Sequence, residues 1–275
     1  MDINLLKKLR TETKAGFLEC KEALIKFNND YEKAYDYIIN NIKKTEGNIR
    51  VASKGLTALA TNKNDAFIFE VNAETDFASK NSDFLNLIKT LKDTFIHSGI
   101  KNINDAKKLM INNKSVSETI SITSGIMQEN LTLRRFYRIK KEDYNDFGIH
   151  IHQNGKISSL VILEHYDIFS NEIAKVITAY NPKYISTAID EDTLNYEKYL
   201  FAQNSEGFDN FNDYLQSKAL HNLKLLNEDI TVGEYIKKSN NKILDFYRFE
   251  VGQGIDGKLN CKLDFNDDKV SVTPC

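Results

Sequence analysis

Thr75-Asp76-Phe77 sets a hydroxyl, a carboxylate and an aromatic ring on consecutive positions, where one regular pattern ends and another begins. Upstream, Ala66 to Val71 is rich in strand-forming residues and bounded by Asn62-Lys63-Asn64-Asp65. Downstream, Phe84, Leu87, Ile88, Leu91 and Phe95 recur at helical spacing. A junction between two rigid elements gives its side chains a fixed direction, as a binding or catalytic group needs. Asp76 has the chemistry of a general acid or base, yet the neighbouring carboxylates, Glu70 and Glu74, are not placed by strand alternation as a catalytic pair. On residue type alone, Asp76 also reads as a helix cap and Phe77 as a core aromatic opening the helix.

Other candidate chemistry fails on context. Gly252-Gln253-Gly254-Ile255-Asp256-Gly257 satisfies GxGxxG after a strand-like run, but a dinucleotide site needs a following helix and a further strand. The sequence that follows, Lys258 to Phe265, is strand-like, so a glycine turn is the expectation. His150 and His152 alternate on one strand face with no third ligand at a readable spacing, which predicts two histidines on a solvated sheet surface opposite Ile149 and Ile151. Cys20, Cys261 and Cys275 form neither a CxxC nor an even set, which argues against a disulfide framework or a metal knuckle. No motif calls for a cofactor or a bound metal.

The positioning elements follow from periodicity. Residues 1 to about 44 read as three short helices, carried by Leu5, Leu6 and Leu9, by Phe17, Cys20, Ala23 and Leu24, and by Tyr31, Ala34, Tyr35 and Ile38, with Asp30 as the cap of the third. Lys43 to Lys54 reads as a tether. Two β-prone runs around Asn62 to Asp65 predict a hairpin leading into the Thr75-Asp76-Phe77 tip, and the helix beyond it should return onto that sheet. Asn104–Asn112 and Ser117–Leu131 read as helices, the second opened by the capping pattern Ser115-Val116-Ser117-Glu118. Leu133–Lys140, Phe147–His152 and Lys156–Glu164 read as a strand followed by a hairpin around Asn154-Gly155, where a second sheet begins. Ile168–Tyr180 is helical up to Pro182, Leu194–Asn204 and Phe208–Leu226 pair as helices, Thr231 to Glu234 forms a capping box, and Lys242–Val251 is a last strand.

The block Glu70-Val71-Asn72-Ala73-Glu74-Thr75-Asp76-Phe77-Ala78 resembles the signature of the elongation factor Ts family. Leu9-Arg10-Thr11-Glu12-Thr13-Lys14-Ala15-Gly16 through Cys20-Lys21-Glu22-Ala23-Leu24 is similar to the family's amino-terminal pattern. Asn181-Pro182-Lys183-Tyr184 and Phe246-Tyr247-Arg248-Phe249-Glu250-Val251-Gly252 follow in the family's order, so the resemblance covers residues 1 to about 256. It implies an α+β protein: a three-helix, ubiquitin-associated-like bundle and tether over 1–50, then two related α/β subdomains with antiparallel sheets over 51–140 and 141–275. The second would carry a projecting helical hairpin at about 187–228 and the carboxy-terminal tail.

The same resemblance implies guanine nucleotide exchange on elongation factor Tu without covalent catalysis. Thr75, Asp76, Phe77 and Ala78 would form the tip that dislodges magnesium from the partner's nucleotide site, and Leu9, Arg10, Thr13 and Gly16 would be further partner contacts. Leu9 has a competing reading as core. Ala78 stands where the family usually has Val, Lys14 where it has a small residue, and Lys175-Val176-Ile177-Thr178-Ala179 lacks the family's helix histidine. The alternative is a protein-binding adaptor with the same bundle and no exchange activity; an enzyme would need a pocket with converging titratable groups.

Composition agrees with a protein partner. A formal net charge of -2 gives no field for direct nucleic-acid binding, 41% hydrophobic residues suit a globular core, and no apolar run approaches membrane-spanning length. The expectation is a soluble, cytoplasmic chain.

Overall fold

The computed structural model describes residues 2–13, 17–44 and 52–255. It is an α+β fold. The helices are α1 Ile3–Thr13, α2 Phe17–Lys26, α3 Tyr31–Lys44, α4 Ser82–Ile96, α5 Ile103–Lys108, α6 Val116–Met127, α7 Ser170–Tyr180, α8 Glu191–Gln203, α9 Phe211–Lys218 and α10 Val232–Lys238. The strands are β1 Lys54–Thr61, β2 Asp65–Ala73, β3 Met110–Ile111, β4 Lys114–Ser115, β5 Thr132–Lys140, β6 Asp146–His152, β7 Ile157–Leu163 and β8 Ile243–Glu250. They divide into two compact units: Met1–Ala60, Ala66–Arg138 and the chain from Val251 make the first; Thr61–Asp65 and Ile139–Glu250 make the second.

In the first unit, α1 to α3 form the expected bundle. Leu6, Leu9, Cys20, Ala23, Leu24, Ala34 and Ile38 share its core. Between α2 and α3 the chain turns through Asn28 and Asn29, both at positive φ, a conformation that Asn tolerates better than most residues. Asp30 Oδ1 then accepts from the Lys33 amide at 3.2 Å, capping α3 as its sequence position predicts. Lys114 Nζ donates to Tyr35 Oη at 2.6 Å, and α3 contacts α6.

The first unit also holds a three-stranded sheet in the order β1-β2-β5. From β2, Phe67, Phe69 and Val71 enter one core with Phe84, Leu87, Ile88, Leu91 and Phe95 of α4, so the helix does return onto the sheet. Phe95 meets Phe69 and Phe136 edge-on, at centroid separations of 5.1 and 5.0 Å. Two expectations shift here. Leu133–Lys140 belongs to this first sheet rather than beginning the second. The helix read over Asn104–Asn112 stops at Lys108, where Leu109 turns extended into β3, and Asn112 and Asn113 at positive φ then turn β3 against β4. The capping box does form, with Ser115 Oγ accepting from the Glu118 amide at 3.1 Å and the Glu118 carboxylate accepting from the Ser115 amide at 2.8 Å.

In the second unit β6, β7 and β8 form an antiparallel sheet in that order. The β6–β7 connection runs through Gln153, Asn154 and Gly155 at positive φ, the turn read from Asn-Gly. Gly148 lets α7 approach: a Cβ there would lie 2.1 Å from the Ser170 carbonyl oxygen. Asn181, at positive φ, ends α7 just before Pro182. The helix read over Phe208–Leu226 ends at Lys218, where the chain extends at Ala219 and bridges Tyr184.

Both units repeat one order of parts. A hairpin leads into a long helix, then shorter elements, then a helix opened by a capping box (α6, α10), and last a third strand pairing beside the hairpin's second strand. This is the pair of related subdomains that the sequence implied without any readable repeat.

Candidate functional site

Where β2 ends at Ala73, the chain makes a short turn through Glu74 to Phe77, a single 3-10 turn over Ala78–Lys80, and then α4. The helix is capped by Asn81, whose side chain accepts from the Asp83 amide at 2.7 Å, so Asp76 is not its cap. Nor is Phe77 a core residue: its ring is 83% exposed, while Ala78 beside it is 2% exposed inside the first unit's core. Asp76 is exposed as well. The turn thus has a buried heel and two outward side chains.

Hydrogen bonds fix that arrangement. Both Glu74 N and Thr75 N donate to Glu129 Oε2 at 3.1 Å, and Thr75 Oγ1 donates to Glu129 Oε1. Ser79 Oγ donates to the Asp76 carbonyl at 2.7 Å, closing the other side. Glu129 was missed by sequence reading. It sits directly after α6, 54 positions from Thr75, and no local pattern couples the two.

The remaining sequence candidates separate by burial. Leu9 and Thr13 are 0% exposed: Leu9 fills the bundle core and Thr13 Oγ1 donates to the Leu9 carbonyl at 2.7 Å. Both side chains thus pack within the bundle, which for Leu9 is the competing core reading. Arg10 is exposed on the same helix, and Gly16 lies outside the described residues. Ala78 lies in the core on which the tip stands and anchors the turn from within.

Glu70 is fully buried behind the tip, on the β2 face opposite Phe69 and Val71. Arg134 Nη1 reaches both its oxygens, at 3.2 and 3.1 Å, and Arg135 Nε donates to Oε2 at 2.6 Å. Neighbouring strand residues normally point apart. Here burial recurs at Leu133, Phe136 and Ile139, every third position, so alternation slips as at a β-bulge and both guanidiniums face one carboxylate. Burial pulls the Arg135 pKa down, and Glu70 works against that. Gly252 N also donates to Glu70 Oε1, at 2.8 Å. Gly252 and Gly254 have positive φ, the glycine turn expected of the GxGxxG match; Gly257 lies outside the described residues.

His150 pairs in register with Ser159, whose hydroxyl accepts from Thr178 of α7 at 2.8 Å. His150 therefore lies on the face that α7 covers and is half-buried, while His152 further along the strand is exposed, as is Ile151 on the other face. Burial lowers the His150 pKa, with His152 and Lys175 adding to it. Among the described residues no three His, Cys, Asp or Glu side chains group as a metal site, and no helix is long and apolar enough to cross a membrane. A cavity of about 310 Å³ in the second unit, lined by Ile168, Phe169, Glu172, Leu225, Leu226 and Glu228, brings in two carboxylates, of which Glu172 is paired with Lys175 at 2.6 Å.

Fold and site together define an α+β scaffold protein that presents a locked aromatic-carboxylate turn at its surface. Residues 74–253 match the family model described as elongation factor TS. Over 281 residues the chain is 34% identical to a protein named elongation factor Ts from Acholeplasma laidlawii (strain PG-8A), covering 93% of this chain and 94% of that one. This chain belongs to the elongation factor Ts family and is a translation elongation factor.

Proposed function

We propose that this chain is a guanine nucleotide exchange factor for elongation factor Tu, acting through Asp76 and Phe77. The observation that carries the reading is the exposure of Phe77 on a turn whose two flanks are fixed, by Ala78 in the core and by the Glu129 hydrogen bonds. Apolar area held in water at a fixed place is recovered on association. Burying one Phe supplies about 1.5–3 kcal/mol, roughly a ten- to hundredfold effect that can hold a partner in a strained conformation. Inserted beside the partner's nucleotide site, the tip dislodges the magnesium that neutralises the phosphates, and GDP leaves faster. Linkage then requires bound GDP to weaken the factor's own binding by the same ratio. Arg10, exposed on the bundle, is the candidate for a further contact, while Leu9 and Thr13 shape the surface from within.

The test is release of a fluorescent GDP analogue from elongation factor Tu by stopped flow, comparing the native chain with Asp76→Ala/Phe77→Ala. Both side chains are exposed, so the double variant keeps its fold and its melting temperature while the acceleration disappears. A folded native chain that binds Tu without accelerating release would instead be an adaptor.

A further inference from the structure

We infer that Glu129 is the positioning residue of the exchange tip, holding the Glu74–Phe77 turn in its partner-ready form before any partner arrives. The inference rests on the exchange reading above and adds to it the residue that sets the tip's geometry.

One carboxylate receives three donors from the turn. Two are consecutive backbone amides, of Glu74 and Thr75, converging on Oε2; the third is the Thr75 hydroxyl on Oε1. Consecutive amides pointing one way form an anion cradle, and here the anion is the chain's own side chain. Hydrogen bonds to an ionised acceptor are stronger than neutral ones, so the contact is well suited to fixing a short segment.

Glu129 is itself held. Gln128 ends α6 in the left-handed conformation, Glu129 N donates to the Ser124 carbonyl at 3.2 Å, and Ser124 Oγ donates back to the Glu129 carbonyl at 2.5 Å. The end of α6 therefore fixes Glu129, and Glu129 fixes the turn. Phe77 buries little of its ring in this chain by being held, since it stays 83% exposed. What is gained is a defined direction for Asp76 and Phe77.

The second unit supplies an independent observation. Asn241, in the corresponding place between its capped helix α10 and its last strand β8, accepts from His165 N at 3.0 Å and donates to His165 O at 3.0 Å, just beyond β7. The same slot of the repeated topology thus locks the same loop in both units. In the first unit the slot holds an acceptor-only group reaching two amides and a hydroxyl, which is what a turn with outward-facing amides calls for.

The experiment uses the full chain as Glu129→Ala, Glu129→Gln and Thr75→Val, with two measurements. Amide hydrogen exchange of a peptide spanning residues 74–77 is read without partner. Release of the fluorescent GDP analogue is read across factor concentrations, separating the maximal rate from the half-saturating concentration. Glu129→Ala should speed amide exchange locally, leave the melting transition nearly in place, and lower the maximal rate roughly tenfold or more, the loss expected when charge-assisted hydrogen bonds that orient a reacting group are removed. Glu129→Gln, which keeps an acceptor for the amides, should recover part of it, and Thr75→Val should lose part. Adding Glu129→Ala to Asp76→Ala/Phe77→Ala should cost little more, since the group it positions is already gone. Unchanged local amide exchange, or a maximal rate equal to the native one, overturns the inference. Should Glu129→Ala not fold, Glu129→Gln and Thr75→Val decide it by the same two readings. A native chain that fails to accelerate release overturns the exchange reading and this inference with it, whereas native acceleration that Glu129→Ala retains overturns this inference alone.

Discussion

Leu9 and Arg10 are adjacent on α1 and face different surroundings, one enclosed by the bundle core and one in solvent. Leu9→Ala should lower the stability of the bundle by about 2–5 kcal/mol, through lost burial and the cavity left behind. Arg10→Ala should change stability by less than about 0.5 kcal/mol, as exposed substitutions do. Thermal melts of the two variants check this, and any loss of Tu affinity in Arg10→Ala at unchanged stability would mark a contact. The two positions also show what residue types convey. A Leu and a Thr in a family-like pattern say that the position matters but not whether it packs or touches, because both roles select similar side chains. Asp76 and Phe77 stood out through the resemblance of Glu70 to Ala78 to the family's signature, since residue type alone also allowed a helix cap and a core aromatic. Glu129 did not, since its role exists only once α6 and β2 have been brought together.

Helical periodicity placed α4, α7 and the bundle well, for each buries one stripe of large apolar residues. It overran at α5 and α9, where an extended Leu109 or Ala219 stops the helix without Pro or Gly to announce it. In α8 and α9 stripes explain less than one buried carboxylate. Glu197, 1% exposed, accepts from Tyr184 Oη and Tyr214 Oη, both at 2.7 Å, and from Lys183 Nζ at 3.1 Å, tying both helices to the segment after α7. Burial pushes its pKa up, and the donated hydrogen bonds from Tyr184, Tyr214 and Lys183 outweigh it, so it titrates below the ordinary glutamate range. A depressed folded-state pKa means stability that is present above the unfolded value and lost as pH falls through the folded one. Protection of the 191–218 amides should therefore hold at neutral pH and fall below about pH 4. Glu197→Ala should remove about 2–3 kcal/mol at neutral pH and flatten that acid dependence. A hairpin whose amide exchange ignores both pH and the substitution would show that the carboxylate does not hold it.

At the scale of the molecule, the first unit is discontinuous: the chain leaves it at Arg138 and rejoins it at Val251. The rejoining residues are bound there. Gly252 N donates to Glu70 Oε1 at 2.8 Å across 182 positions, and the Gln253 carbonyl accepts from Arg134 Nη2 at 2.6 Å. Gly252 has φ +74, and a Cβ on it would stand 2.3 Å from the Ser53 carbonyl oxygen. Glycine is required there twice over, by conformation and by space. The sequence could dismiss a dinucleotide loop at this point from the missing helix, but it could not name Glu70 as the partner. Gly252→Ala should cost about 3 kcal/mol, from the strained φ and the displaced carbonyl. Glu70→Ala should cost about 3–5 kcal/mol by removing the buried carboxylate that two part-buried guanidiniums share. Since these residues close the first unit, amide protection should fall over 66–73 and 132–138 and persist over 146–163. β2 carries the tip at its end, so the same variants should blunt nucleotide exchange in proportion to the protection that β2 loses. Equal loss of protection across both units would mean that they open together and that the closure is shared; full exchange activity with β2 opened would mean that the tip does not depend on the strand beneath it.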